Sequence, residues 1–330
     1  MMLLEAIARN NFVVVGRAGI DFFTDAGVRA EDAERLGVGL GGSAANIGAG
    51  ICKLGGKAAL VTRVSDDSVG SYCIGQLKHY GVDTEHVTPV GGEYRNSLAF
   101  YESVVEGHRN VIYRNGAADF QMDEHDVSRV DYEKYGALIT AGTVFAAEPS
   151  RTATFKAFDL ARAANLPLIF DVDYRPYSWP SADVAADVLS RAAAQCDMIV
   201  GNDEEFGFMA GDYDKGLEKA RELVRTTAEV VIYKMGEAGA ITITRDGEFR
   251  TGIYPVEALK PNGAGDSFMS GLMTSIADGF ELKEAILRGS ACASIVVAKP
   301  GCAPAMPNKA ELDAFLASHP GPTQEHRALS

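Results

Sequence analysis

The sequence predicts an α/β protein built on a mainly parallel sheet with helices on both faces. Three observations lead there: short apolar runs rich in β-branched residues, stretches of helical period between them, and the regular alternation of the two along most of the chain. A strand buried on both faces reads as a continuous apolar run, not as an alternation. Residues 12–16, 60–64, 137–141, 168–172, 198–200 and 230–234 have that character. Between them, 44–54, 69–80, 152–164, 182–194 and 215–225 place apolar residues at helical spacing, and 267–276 follows the same rule. Residues 240–244 read as a further strand after a turn with two glycines. One segment breaks the alternation: 97–105 and 108–114 read as two strands around the turn Glu106-Gly107. This hairpin is expected to cover the site or meet a second subunit, the alternative being an edge hairpin of the main sheet. The polar, Pro- and Gly-containing stretch beyond Leu316 is expected to be disordered.

Composition narrows the function. With 330 residues, 47% of them hydrophobic, the chain can form one large α/β domain or two domains. A net charge of −14 argues against nucleic acid and anionic membranes as partners, though not against an anionic small molecule. The five cysteines form no C-x-x-C pair, which gives neither a metal signature nor a disulfide framework and fits a reducing compartment. The first nine residues lack the charged start of a signal peptide, and no apolar run approaches the ~18 residues of a membrane span, so a cytoplasmic protein is expected.

Two nucleotide motifs are absent in substance. Gly37-Val38-Gly39-Leu40-Gly41-Gly42 matches the dinucleotide pattern, but the charged stretch 31–35 stands where a strand should precede it. Gly56-Lys57 is followed by Ala58, not by the Ser or Thr of a P-loop.

Other motifs carry chemistry. Gly263-Ala264-Gly265-Asp266 stands where a loop turns into a helix. Small residues admit a phosphate to the backbone, and the free N–H groups of a helix start bind it. Asp266 would repel that phosphate, but it makes sense as a base that takes a proton from an attacking hydroxyl. The plain alternative is a Gly-rich turn with Asp as helix cap. Gly41-Gly42-Ser43-Ala44-Ala45-Asn46 reads as a turn opening a helix, with Asn46 offering an amide to hydroxyls, or as close helix packing through small residues. Asp171-Val172-Asp173-Tyr174-Arg175 follows a buried strand. Charges there are costly unless they meet a ligand or each other. Asn202 and Glu205 at the next strand end either organise a hydrated Mg²⁺ or simply cap a helix. Lys234-Met235-Gly236-Glu237-Ala238-Gly239 is a turn able to receive a nucleotide, or an ordinary hairpin turn.

In this order, over about 12–315, the motifs resemble those of the ribokinase-like (PfkB) carbohydrate kinases. The resemblance implies a single ribokinase-like three-layer αβα domain over 1–330, with a small β-sheet lid drawn from about 17–38 and 92–118 and a tail at 318–330. It implies ATP, Mg²⁺, a small-molecule sugar substrate and a homodimer formed through the lid. By the same resemblance Asp266 is the base, and the backbone of Gly263, Ala264 and Gly265 is the anion hole. Asp21, Gly42 and Asn46 hold the sugar. Asn202 and Glu205 organise phosphate and Mg²⁺ through water, and Lys234, Gly236 and Gly239 lie near the nucleotide. Adenine would sit near Ala291, Ser294 and Gly301. Segments 16–21, 113–120, 171–179 and 201–206 resemble the branch acting on 5-dehydro-2-deoxygluconate, a keto-deoxy sugar acid of inositol catabolism. Arg114 and Arg175 resemble positions where kinases of a related sugar acid, 2-keto-3-deoxygluconate, grip the carboxylate, and two guanidinium groups suit an acid better than a neutral sugar. That related acid and a neutral sugar are the other acceptors considered, and a non-catalytic sensor is the reading from another class. Lys260-Pro261 departs from the Asp-Thr of many members, a stretch linked to a monovalent cation. A lysine there supplies positive charge itself, which puts activation by K⁺ in question.

Overall fold

Residues 3–104, 107, 109–260 and 262–323 are described in a computed structural model of the chain. The strands are β1 (Asn11–Val15), β2 (Gly19–Phe23), β3 (Gly37–Gly41), β4 (Lys57–Ser65), β5 (Val87–Val90), β6 (Ser97–Tyr101), β7 (Asn110–Tyr113), β8 (Ala137–Ala141), β9 (Leu168–Asp171), β10 (Met198–Asn202), β11 (Val230–Lys234), β12 (Ala240–Thr244) and β13 (Gly247–Thr251). The helices are α1 (Leu3–Ile7), α2 (Ser43–Lys53), α3 (Ser68–His79), α4 (Glu124–Ser128), α5 (Ser150–Ala163), α6 (Ala182–Ala193), α7 (Asp203–Ala210), α8 (Gly216–Thr226), α9 (Ala264–Ala277), α10 (Leu282–Val297) and α11 (Lys309–Ser318).

Among the described residues the strands form two sheets. The larger has nine strands in the order β13-β12-β11-β10-β9-β8-β1-β4-β5. It is parallel from β11 to β5, and β12 and β13 add an antiparallel edge. Side chains alternate across it, so each strand feeds two cores. Val13 and Val15 join the cluster under α5, α6 and α8, whereas Phe12 and Val14 join the cluster under α2, α9 and α10. This double burial is why the central strands read as unbroken apolar runs. The smaller sheet, in the order β3-β2-β6-β7, is the expected lid. Its hairpin is present, but residues 105, 106 and 108 of the expected turn lie outside the described residues.

Strand order reverses at β1. From there the chain steps outward to β4 and β5, then returns to the other side of β1 through β8 to β11. Such a reversal opens a crevice beyond the carboxyl ends of the strands, where ligands of open α/β sheets bind.

Small residues set the helix layer over that crevice. Nearly all of α2 is buried, and a Cβ on Gly50 would strike the Ser270 side chain of α9. A Cβ on Gly271 would reach within 2.7 Å of the Cys292 sulfur on α10.

In the lid, the buried carboxylate of Glu102 accepts hydrogen bonds from Arg29, from Arg109 and from the Ala30 N–H, joining its two segments. Those contacts, led by Arg109, hold Glu102 down to about 2. Of the tail expected to be disordered, Thr323 pairs with Ile253 through N–H···O at 2.7 Å, and 324–330 lie outside the described residues. No helix among the described residues is long and apolar enough to cross a membrane.

Candidate active site

The crevice is a cleft of about 880 Å³. Charged and polar residues reach it from the ends of strands whose interiors are mostly apolar: Arg17 beyond β1, Thr143 beyond β8, Asp171 and Asp173 at β9, Asn202 at β10 and Lys234 at β11. The lid closes one side with Asp21 and Tyr101, and α9 points its N-terminus into the middle.

The start of α9 is shaped by glycine. Gly263 caps the helix at φ 82°, a left-handed conformation that a side chain would strain. A Cβ on Gly265 would sit 3.6 Å from the Lys234 ammonium and 3.7 Å from an Asp171 oxygen. The missing side chain therefore leaves space where helix N–H groups and a cation converge, an arrangement suited to an anion. Asp266 lies in the first turn beyond, and its Oδ2 accepts a hydrogen bond from Asn46 Nδ2 at 2.9 Å. Burial, reinforced by the charges of Asp173 and Asp171, pushes this carboxyl up to about 7 against the pull of Asn46 and Arg175.

Asn46 reaches Asp266 because α2 begins at the turn of Gly42, whose φ is 98° and whose Cβ would lie 2.5 Å from the Arg17 carbonyl. A Cβ on Gly41 would collide with the Asp21 carboxylate, so this glycine makes room for that acid. Asp21 is pushed up to about 6 by burial, opposed chiefly by Arg17.

The remaining charges form two groups. Arg114 is buried, pairs with Asp119, donates to the Thr143 carbonyl at 2.7 Å and lies over the Phe120 ring. Arg175 is half-exposed and pairs with Asp173 at 2.8 Å. Asn202 and Glu205 form a reciprocal helix cap, each side chain accepting the other's backbone N–H at 2.8 Å. Glu205 also accepts the Tyr174 N–H at 3.1 Å. Burial and the neighbouring Asp171 push Glu205 up to about 7, and burial pushes Asp171 up as well.

Lys260 is buried almost completely, and its ammonium donates to the Asn262 carbonyl at 2.5 Å in the loop leading to α9. Burial lowers its pKa, while Cys302, Asp21 and Asp266 act to keep it charged. Pro261 lies outside the described residues.

Asp21, Gly42, Asn46, Arg114 and Arg175 thus share one cleft with Asn202, Glu205, Lys234 and Gly236, and with Gly263, Ala264, Gly265 and Asp266. Four expected nucleotide residues stand off its walls. Gly239, in the turn between β11 and β12, lies against the Thr251 carbonyl at the end of β13. Ala291 is in the core of α10, and Ser294 donates to the Tyr254 carbonyl. Gly301 faces Pro304 and Phe23 of the lid. Sequence reasoning missed Arg17 as a site residue. Its signal was the one that marked Arg175: a charge just beyond a buried strand.

A family model described as "pfkB family carbohydrate kinase" matches residues 9–309. The chain is 37% identical over 311 residues to a protein named 5-dehydro-2-deoxygluconokinase from Photobacterium profundum, covering 92% of this chain and 94% of the relative. A PfkB protein from a Polaromonas species superimposes with a TM-score of 0.80 at 26% identity, over 92% of this chain and 99% of that one. A fructokinase with bound ATP from Xylella fastidiosa superimposes with a TM-score of 0.83 at 20% identity, over 94% and 98%, and speaks for the fold alone.

Proposed function

Because the chain belongs to the pfkB family of carbohydrate kinases, and so transfers a phosphoryl group to a sugar hydroxyl, we propose that it phosphorylates a primary hydroxyl of 5-dehydro-2-deoxygluconate with ATP as donor. The observation that carries this reading is the part-buried Asp266 carboxylate in the first turn of α9, held by Asn46 beside a glycine-lined helix start.

Asp266 accepts the hydroxyl proton as the sugar oxygen attacks the γ-phosphorus. Asn46 orients the carboxylate through its amide N–H, and its own oxygen, buried and without a partner, is free for a sugar hydroxyl. The N–H groups of Gly263, Ala264 and Gly265 stabilise charge on the phosphoryl oxygens, and Lys234 adds a cation from β11. Most of the rate then comes from positioning and fixed electrostatics. Guanidinium groups in the cleft, the buried Arg114 among them, favour an acid over a neutral sugar.

The residues fit a hydrated Mg²⁺ better than a directly bound one. No group of three His, Cys, Asp or Glu side chains among the described residues could enclose a metal, and Glu205 already serves two backbone N–H groups. Asn202 and Glu205 would hold such an ion through water, and when bound it neutralises phosphate charge. Lys260 takes the part of a monovalent cation beneath the anion hole, so K⁺ is not required.

A homodimer through the lid accords with the cross-strand row Val38, Phe22, Phe100 and Val111, on the face opposite Asp21. Val38 and Val111 in that row are exposed. A cytoplasmic setting accords with five free cysteines.

The test is an ADP-release assay over a panel of acceptors: 5-dehydro-2-deoxygluconate, 2-keto-3-deoxygluconate, fructose and ribose. The first should give the highest kcat/KM. A neutral sugar ahead of both acids overturns the substrate assignment. Tight ligand binding with no phosphoryl transfer to any acceptor overturns the kinase reading.

A further inference from the structure

Two buried guanidinium groups in the cleft end in N–H groups that no described atom satisfies. Arg17 is 6% exposed and Arg114 is 7% exposed. Arg17 Nε donates to Ser97 Oγ of the lid strand β6 at 2.8 Å, while its Nη2 is buried without a partner. Arg114 spends Nη2 on Asp119 and Nη1 on the Thr143 carbonyl, while its Nε is buried without a partner. Unmet donors on buried charges are costly, and native proteins keep few of them outside ligand sites.

Neither group is loose. Ser97 fixes Arg17, and the contacts to Asp119, Thr143 and Phe120 fix Arg114. The free N–H groups are therefore held in place before any ligand arrives. Both arginines act on the Tyr177 phenol at the cleft wall, so they lie on the same part of it. Buried carboxylates stand near both: Asp21 acts with Arg17, while Asp119 and Asp173 act on Arg114, and none of them meets the two unpaired N–H groups. Arg175 acts on Tyr177 too, but it differs in being half-exposed, already paired with Asp173, and in acting on Asp266 as well.

We propose that Arg17 is a specificity-determining residue, and that its Nη2 and the Nε of Arg114 together receive the carboxylate of the acceptor. Each unmet N–H takes one carboxylate oxygen, and the acceptor's reacting hydroxyl extends toward Asn46 and Asp266. Arg175 is left to the phosphoryl side of the cleft. The proposal rests on the sugar-acid reading of the same site and adds the group that selects for the acid.

Steady-state kinetics of the wild type, Arg17→Gln and Arg17→Lys test it, with ATP saturating and two acceptors, a keto-deoxy sugar acid and fructose. In Arg17→Gln the KM for the acid should rise roughly 10- to 100-fold, the range of one charged hydrogen bond. That rise should exceed any rise for fructose by at least about tenfold, with Arg17→Lys intermediate. Equal losses on both acceptors in a wild type that prefers the acid make Arg17 a mere tie between sheet and lid, and leave the sugar-acid reading intact. A wild type that prefers fructose removes the sugar-acid reading and this assignment with it. A crystal structure of the wild type with the acid bound decides the matter without relying on a variant's folding. A carboxylate oxygen in hydrogen-bond reach of Arg17 Nη2 supports the proposal, and a carboxylate seated on Arg175 overturns it.

Discussion

Asp266 acts as a base only after losing its proton, and its surroundings make that loss harder. Burial and two neighbouring carboxylates push it up to about 7, so it is largely protonated in mildly acidic solution. The expected profile of kcat/KM therefore rises with pH through about 7 and levels off above it. Asp266→Asn should lower kcat roughly 10²- to 10⁴-fold while ATP affinity, measured by calorimetry, stays within about twofold. The same variant should melt higher than the wild type at about pH 8, because it removes a desolvated charge. Near-normal turnover in Asp266→Asn would take this residue out of the proton transfer. Asp266 was legible because an acid beside a glycine-rich helix start is anomalous for phosphate binding and needs a reason. Arg17 escaped notice because nothing in a sequence says which N–H groups of a buried arginine will go unpaired. Ala291, Ser294 and Gly301 came from resemblance alone, and each lies in packing that a linear pattern cannot describe.

The loop from Lys260 to Gly263 and the helix α9 work as a unit, since the lysine ammonium grips the Asn262 carbonyl one residue before the cap. A charge built into the chain does not dissociate, so activity should be the same in KCl and in choline chloride at equal ionic strength. A many-fold rise with K⁺ would show that Lys260 does not fill the cation's role. Legibility followed burial at this scale. β1, β8, β9, β10 and β11 were read nearly to their ends because both faces are apolar. β3 was missed. Gly37-Val38-Gly39-Leu40-Gly41 looks like a turn, yet it is a strand whose absent side chains are replaced by the Phe23 ring over Gly37 and the Asp21 carboxylate over Gly41. β2 carries that aspartate into the cleft, while its Ile20 joins a core cluster and Phe22 packs against it, so cleft and core share one short strand.

Taken as a whole, the molecule gathers carboxylates that would rather be neutral. Asp21 is raised to about 6, and Glu205 and Asp266 to about 7, each chiefly by burial. A carboxyl raised in the fold binds more protons folded than unfolded, so its contribution to stability is present at low pH and is lost as pH climbs through the raised value. The ligand-free protein should melt at a lower temperature at about pH 8 than at about pH 5.5, as followed by differential scanning fluorimetry. A flat or rising profile would mean that these acids are not desolvated as the cleft geometry requires. Activity here is maintained against stability, as expected where a site collects like charges. The bond between Asn46 and Asp266 joins positions 220 residues apart. A ribosome therefore completes most of the large sheet, and the lid, before the catalytic pair can exist. α2, made early, packs on β1, β4 and β8, but its own outer face meets α9, so this helix layer stays open to solvent until α9 and α10 have been made.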